Sequence, residues 1–446
     1  MSQYKPVIKE LANSKGLQLL VISILAMFYS IIFGNYRMVI IFQMVLIVAF
    51  YIIHRKLPPS TKLDREKFFT TISIFITVVI GMYGSGHETL AGEILLSIAY
   101  YGILSLSLNI STGHVGVVNF GVIAQVAVGG IIFGLATLNF GVDIFLAVIY
   151  GMIGAAVFSA LLASTTLRLR EDYFAIVSVT LGEIIKQIMK TEPTVHAPKD
   201  PKTGKYSAFP GIIKPPTPFG DSYANFVDGT FMAHVPYRVF LGIFCCFLLA
   251  LVFLCTQLLS YSPYGRVLRA IREEELSTST YGKDLFNYRV GVFAISGAIA
   301  GLGGAILAWQ LSGIYPEQLT PIDTFFAWTI IIIGGRGNNK GTIAGTIIFV
   351  MTQRMSLFLN DADIFNRYGV NDALQKIAPH APPISMGYIQ LIFVGLLIVF
   401  FLRFYPQGLI AEEPFRPLIK GYELPPPGSQ ADSVEVSSKP TKEVPS

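Results

Sequence analysis

Long, almost uninterrupted apolar runs recur along this chain, and each must be buried in protein or placed in lipid. Candidates fall at 17–34, 36–53, 68–84, 90–110, 121–138, 142–165, 172–190, 237–260, 290–311, 324–336, 340–358 and 386–405. A helix that crosses the hydrocarbon core of a bilayer needs about 20 predominantly apolar residues. Soluble domains carry about a quarter charged residues, whereas this chain is 14% charged and 52% hydrophobic. The pattern predicts an all-α integral membrane protein, a polytopic helical bundle of about 10–12 transmembrane helices. The first run, GLQLLVISILAMFYSIIFG, exceeds the core length of a signal peptide and lacks a following small-residue cleavage site, so it is expected to remain as a span.

Charge separates the two faces of the bundle. The net charge is +5, and with a cytoplasmic N-terminus and alternating spans 22 of the 33 Lys and Arg fall inside. That distribution points to a membrane orientation rather than to nucleic acid, with both termini cytoplasmic in a cell membrane. Residues 1–67 read as an N-terminal transmembrane hairpin with the linker HRKLPPSTKLDREK, residues 68–412 as the core, and residues 413–446, rich in Pro, Ser and charge, as a disordered cytoplasmic tail. The extracytoplasmic loop 191–236 carries eight prolines and is either a docking surface for an external partner or a solvated insertion.

Catalytic signatures are missing from the pattern. His54, His87, His114, His196, His234 and His380 have no metal-ligand spacing, and Cys245, Cys246 and Cys255 share one apolar run. The run GGRGNNKGT has the glycines and lysine of a phosphate-binding loop, but Asn339 and Gly341 flank Lys340 where that loop requires Gly and Ser or Thr. Any ATP chemistry therefore belongs to another chain. Two apolar regions are instead broken by glycine: NISTGHVGVVNFGVIAQVAVGGIIFG at 109–134 and IIIIGGRGNNKGTIAGTIIF at 330–349. Irregular backbone at membrane depth is tolerated inside protein or along a water-filled cavity, and paired broken segments point to a substrate pathway. Close helix packing through small residues is the other reading. Glu183, Lys186, Gln187 and Lys190 share one helix face, which makes Glu183 either a pathway residue or a structural anchor.

One stretch resists the membrane. SPYGRVLRAIREEELSTSTYGKD at 262–284 holds Arg266, Arg269, Arg272, Glu273, Glu274, Glu275, Lys283 and Asp284. Inserting these eight charges would cost about 20 kcal/mol, so the segment lies outside the bilayer, on the cytoplasmic side. Ser262 and Pro263 form a natural helix start, and Tyr264, Val267, Leu268 and Ile271 follow at helical spacing to give an amphipathic helix that Gly282 ends. Its partner is protein or an anionic lipid surface, and the three successive glutamates favour protein.

These residues resemble a known family. GRVLRAIREEELSTSTYGKDLFNYRVGVFAISGAIAGLGGAILA at 265–308 is similar to the coupling loop and following helix of ABC-importer permeases for branched-chain amino acids, the LivM type. REDYFAIVSVTLGEII (170–185), GHVGVVNFGVIAQVAVGG (113–130), TGKYSAFPGIIKPP (203–216), IIIIGGRGNNKGTIAG (330–345) and FYPQGLI (404–410) extend the resemblance over roughly residues 90 to 412. It implies a non-catalytic membrane subunit partnered by a second, related permease, by two ATPase subunits that carry ATP and magnesium, and by an extracytoplasmic substrate-binding protein. Arg266, Arg269, Arg272, Glu273, Glu274, Glu275 and Gly282 would then serve coupling to the ATPase. Gly116, Asn119, Gly121, Glu183, Gly334, Gly335 and Gly337 would lie along the translocation pathway, with no metal site. Ser277 and Thr278 stand where the family has alanines, and Val122 and Asn119 replace a His and a Ser. Urea or a short amide stays open as substrate, and a stand-alone secondary transporter or channel as an alternative class.

Overall fold

The computed structural model describes residues 88–138, 140–166, 171–191, 235–361, 386–405, 407–410 and 412, with isolated positions 71, 72, 75, 76, 79, 218, 219 and 223. The expected hairpin and linker at 1–67, most of the 68–84 run, most of the 191–236 loop and the tail at 413–446 lie outside the described residues.

Helices account for nearly all of what is described. They are α1 (Glu88–Leu108), continued by a π-helical turn (Asn109–His114), α2 (Val122–Leu138), α3 (Ile144–Thr166), α4 (Glu171–Thr191), α5 (Tyr237–Tyr261), α6 (Pro263–Glu273), α7 (Glu275–Thr280), α8 (Leu285–Leu311), α9 (Pro321–Gly334), α10 (Asn339–Asp361) and α11 (Met386–Phe404). Among them Thr89–His114, Ile144–Thr165, Tyr237–Tyr261 and Leu285–Leu311 are long and apolar enough to cross a membrane by length and composition. The two expected runs at 324–336 and 340–358 form α9 and α10, joined by a tight turn.

Small residues bring these helices together. α8 packs against α1, α2 and α3, while α5 covers another side of α1 and α10 joins α1, α9 and α11. A Cβ on Gly129 of α2 would lie 2.3 Å from the Gly301 Cα of α8, and one on Gly304 would lie 2.3 Å from the Val126 carbonyl oxygen. Backbone-to-backbone approach of this kind replaces the hydrophobic drive that is weak between helices in lipid. Ser107 of α1 donates to the Ser296 carbonyl of α8 at 2.8 Å, which satisfies buried polar groups where α1 meets α8. Outer faces are apolar: Phe145, Ile149, Ile153, Val157 and Leu161 of α3 and Phe247, Leu254 and Leu258 of α5 are all exposed. A surface greasy on the outside and polar at selected points within is what a bilayer solvent demands.

Candidate functional site

Both glycine-broken segments arrive at one end of the bundle, the end that carries α6. α1 loses its regular ladder at Asn109 and passes through the buried π-turn into an irregular stretch, 115–121, before α2 begins. α9 stops at Gly334, and the turn Gly335–Gly337 returns the chain into α10. Asn109 ties the two together: its Oδ1 accepts from the Gly337 N–H at 2.9 Å, and its Nδ2 donates to Asn339 Oδ1 at 2.9 Å. Asn339 in turn donates to Ser260 at the end of α5, and Ser260 also meets His114 Nε2 at 2.9 Å.

Breaking α1 frees carbonyls that must find donors inside the protein. Arg336 supplies two of them, donating to Thr112 O at 3.0 Å and Gly116 O at 3.4 Å. Arg272 from α6 supplies a third, to Gly113 O. The second arm of Arg272 grips Glu412 Oε2 at 2.8 Å. Glu412 follows a strap in which Leu409 N–H donates to Ile333 O at 2.8 Å and Ile410 N–H donates to Gly334 O at 3.0 Å. These two bonds close the C-terminal end of α9. Gly335, at φ 114°, makes room for the strap, since a Cβ there would lie 2.3 Å from Ile410 O.

α6 seats itself on this assembly as its sequence implies. Ser262 Oγ accepts from Gly265 N at 3.1 Å as N-cap, and Pro263 takes the first helical position. Leu268 and Ile271 are buried, while Arg266, Glu273 and Glu274 are exposed. The amphipathic run is not one helix, however. Glu274 is extended, at φ −154° and ψ 101°, and a short second helix α7 starts at Glu275, which pairs with Arg289 of α8. The Ser- and Thr-rich turn that follows is a poor helix former, and Glu274 O accepts from both the N–H and the hydroxyl of Thr278, which is buried. Leu276 and Tyr281 are left 74% and 84% exposed beside Ser277, Gly282, Lys283 and Asp284, all exposed. Burial, with Tyr288 as a second cause, raises the Tyr264 hydroxyl above its usual pKa; it donates to Tyr288 O at 3.1 Å and fixes α6 on α8.

The residues singled out by sequence thus divide. Gly116, Gly335 and Gly337 join Arg272 at the α6 end, where Val115, Gly116, Ile271, Arg272, Glu275, Arg336 and Glu412 line a cavity of ≈ 470 Å³. Gly334 packs against Gly341, closing the α9–α10 turn. Asn119 and Gly121 lie deeper, where Asn119 O accepts from Trp328 Nε1 at 3.1 Å and Phe120 N–H donates to Ser178 of α4. Among the described residues, the Asn119 amide nitrogen and both polar atoms of Gln125 are buried without hydrogen-bond partners. Glu183 stands apart, exposed on α4 and paired with Lys186 at 3.7 Å, while Lys190 reaches Glu317 at 3.7 Å. Arg269 and Arg272 point into the chain, towards Glu412, rather than outward. Sequence reasoning missed Asn109, Ser260, Asn339, Arg336 and Glu412. The signal for Glu412 was the FYPQGLI motif that ends two residues before it, which carries the family resemblance but does not announce a strap.

Comparison with known proteins places this arrangement. The family model described as "Branched-chain amino acid transport system / permease component" matches residues 90–402. A relative from Methanocaldococcus jannaschii, named probable branched-chain amino acid transport permease protein LivM, is 28% identical over 359 residues, covering 73% of this chain and 94% of its own. The Escherichia coli K12 high-affinity branched-chain amino acid transport system permease protein LivM is 26% identical over 324 residues, 70% of this chain and 67% of the relative. The guanosine ABC transporter permease protein NupQ of Bacillus subtilis is 23% identical over 251 residues, 54% and 74% of the two chains. No solved structure gives a significant match. With its apolar helices, its two broken segments and a family match across most of its length, the chain belongs to the permease components of branched-chain amino acid transport systems, a family of polytopic helical membrane proteins.

Proposed function

We propose that this chain is the non-catalytic translocation subunit of an ATP-driven importer for branched-chain and other neutral amino acids, coupled to a separate ATPase through 262–284. One observation carries the reading. The unit formed by α6 and α7 is anchored by Leu268 and Ile271, and it presents Arg266, Glu273, Glu274, Leu276 and Tyr281 outward at the end where both broken segments meet. A stand-alone secondary transporter has no ATPase to receive such a surface. The relatives named for branched-chain amino acids support the substrate class. The guanosine permease supports nucleosides as a second substrate reading within the same ABC class, and urea or a short amide is a further candidate.

In the working assembly a second, related permease completes the pathway and two ATPase subunits bind ATP and magnesium on the α6 side. An extracytoplasmic binding protein delivers substrate on the opposite side, and both termini of this chain are cytoplasmic. Asn119, Gly121 and Gln125 supply polar atoms along the route, and Gly116 marks its inner end. Co-expression with ATPase, second-permease and binding-protein partners encoded near its gene, followed by reconstitution in liposomes, tests the reading. ATPase capture by the chain, with uptake of leucine over guanosine, ribose, urea and acetamide, is the expected result. Failure of every ATPase to co-purify would sink the subunit assignment, and uptake of guanosine alone would replace the amino-acid reading with the nucleoside one.

A further inference from the structure

The geometry points to Glu412 as a positioning residue that reports movement of α6 to both glycine-broken turns, engaging Arg272 in one state and Arg272 with Arg269 in the other. The two carboxylate oxygens of Glu412 are in different situations. Oε2 accepts from Arg272 at 2.8 Å. Among the described residues Oε1 is buried without a hydrogen bond, and Arg269 Nε, likewise buried without one, lies 4.0 Å away. Two unsatisfied, oppositely charged groups facing one another across such a gap leave free energy unrealised. A charge-assisted hydrogen bond spans about 2.7–2.9 Å, so a displacement of α6 by roughly 1 Å towards the strap would close it.

Each end of the pair is attached to something that matters for transport. Arg269 and Arg272 stand on α6, and Arg269 also holds Ser260 O at 2.9 Å, at the end of α5. Arg272 holds the Gly113 carbonyl in the broken end of α1. Glu412 continues the strap that closes α9, and it presses on Gly337, where a Cβ would sit 2.8 Å from Oε2 and 2.9 Å from Arg272 Nη1. Only glycine at φ 80° admits the pair so closely. Glu412 and Arg272 also border the cavity of ≈ 470 Å³, which leaves room on one side for the shift. Coupling between distant sites needs an element with two discrete arrangements, and the half-engaged carboxylate is one.

This inference rests on the ATPase-coupled reading, and the test separates the two. The complete importer is reconstituted with Glu412→Gln, with Arg269→Lys, and with both. Gln cannot form the second ionic bond, and Lys cannot serve Ser260 O and Glu412 together. Capture of the ATPase and the melting temperature stay at wild-type values, substrate moved per ATP hydrolysed falls about 5-fold or more in each single variant, and the double variant is no worse than either. Glu412→Asp, which keeps the charge with a shorter reach, falls between wild type and Gln, and it carries the test if the Gln variant does not purify. Unchanged transport per ATP in the single variants, or losses that add in the double, overturns the two-state carboxylate. Loss of ATPase capture in the variants alone assigns Glu412 to docking and also overturns it. A wild-type chain that captures no ATPase overturns the functional reading on which it stands.

Discussion

Replacing Gly335 by alanine tests whether the C-terminal strap, and not backbone conformation alone, dictates glycine at this turn. Gly335 has φ 114°, a region that side-chain-bearing residues occupy at a cost of about 1–3 kcal/mol. Its Cβ would also lie 2.3 Å from Ile410 O and 3.1 Å from Gln407 O, both backbone atoms that cannot rotate aside. The strap must lift, and the bonds from Leu409 N–H to Ile333 O and from Ile410 N–H to Gly334 O go with it. Each contributes about 1 kcal/mol net, so the total comes to about 3–5 kcal/mol. Gly141 is the control: its φ is 60° and a Cβ there meets nothing within 4 Å, which limits the cost to about 1–2 kcal/mol. Thermal melting of the detergent-purified protein, followed by size-exclusion chromatography, should show a clearly larger loss for Gly335→Ala than for Gly141→Ala. Equal losses would refute the argument, because conformational strain would then account for both.

Gly304→Val should cut the yield of monodisperse protein, since a Cβ there would lie 2.3 Å from Val126 O and 2.6 Å from Gly130 N, forcing α2 and α8 apart at about 1–3 kcal/mol or more. Leu276→Ala combined with Tyr281→Ala removes the exposed apolar groups of the α6–α7 unit; capture of the ATPase on affinity resin should weaken about tenfold while the melting temperature holds. Ser262→Ala deletes the N-cap of α6 at about 1 kcal/mol, and hydrogen exchange at the amides of 263–273 should quicken without change in α5 or α8.

How much of this was legible in the sequence follows from the range of the forces involved. Helix positions follow from hydropathy because the bilayer penalises each polar residue locally, so runs such as 237–260 and 290–311 reappear as α5 and α8. The start of α6 was legible for a similar reason, since Ser262 and Pro263 act within one turn. The break at Glu274 was not, because it depends on Glu275 finding Arg289 fourteen residues later. Glycines announced that something irregular happens at 113–121 and 334–337, but not which part of each run is a turn. Gly129 and Gly130 turn out to pack α2 on α8, whereas Gly116 and Gly337 take positive φ. The direction of Arg269 and Arg272 was the hardest to foresee. Their partner, Glu412, lies 140 residues from Arg272, and no local pattern encodes that pairing.

The same long-range pairing explains why so polar a segment survives next to so apolar a bundle. Once α1 breaks at Asn109, the carbonyls of Thr112, Gly113 and Gly116 are left without helical donors near membrane depth, where an unsatisfied group is costly. Water could satisfy them, but water at the junction of two broken segments would open the route proposed for the substrate. Guanidinium groups do the work instead, Arg336 from the α9–α10 turn and Arg272 from α6. A lysine in either place would satisfy fewer acceptors in a less fixed geometry. The consequence for the proposed function is direct: one of the donors that seal the broken end of α1, Arg272, is carried by the element that the proposed ATPase contact would displace. Moving α6 therefore cannot leave the broken end of α1 unaffected, since it either drags the Gly113 carbonyl along or strips it of its donor.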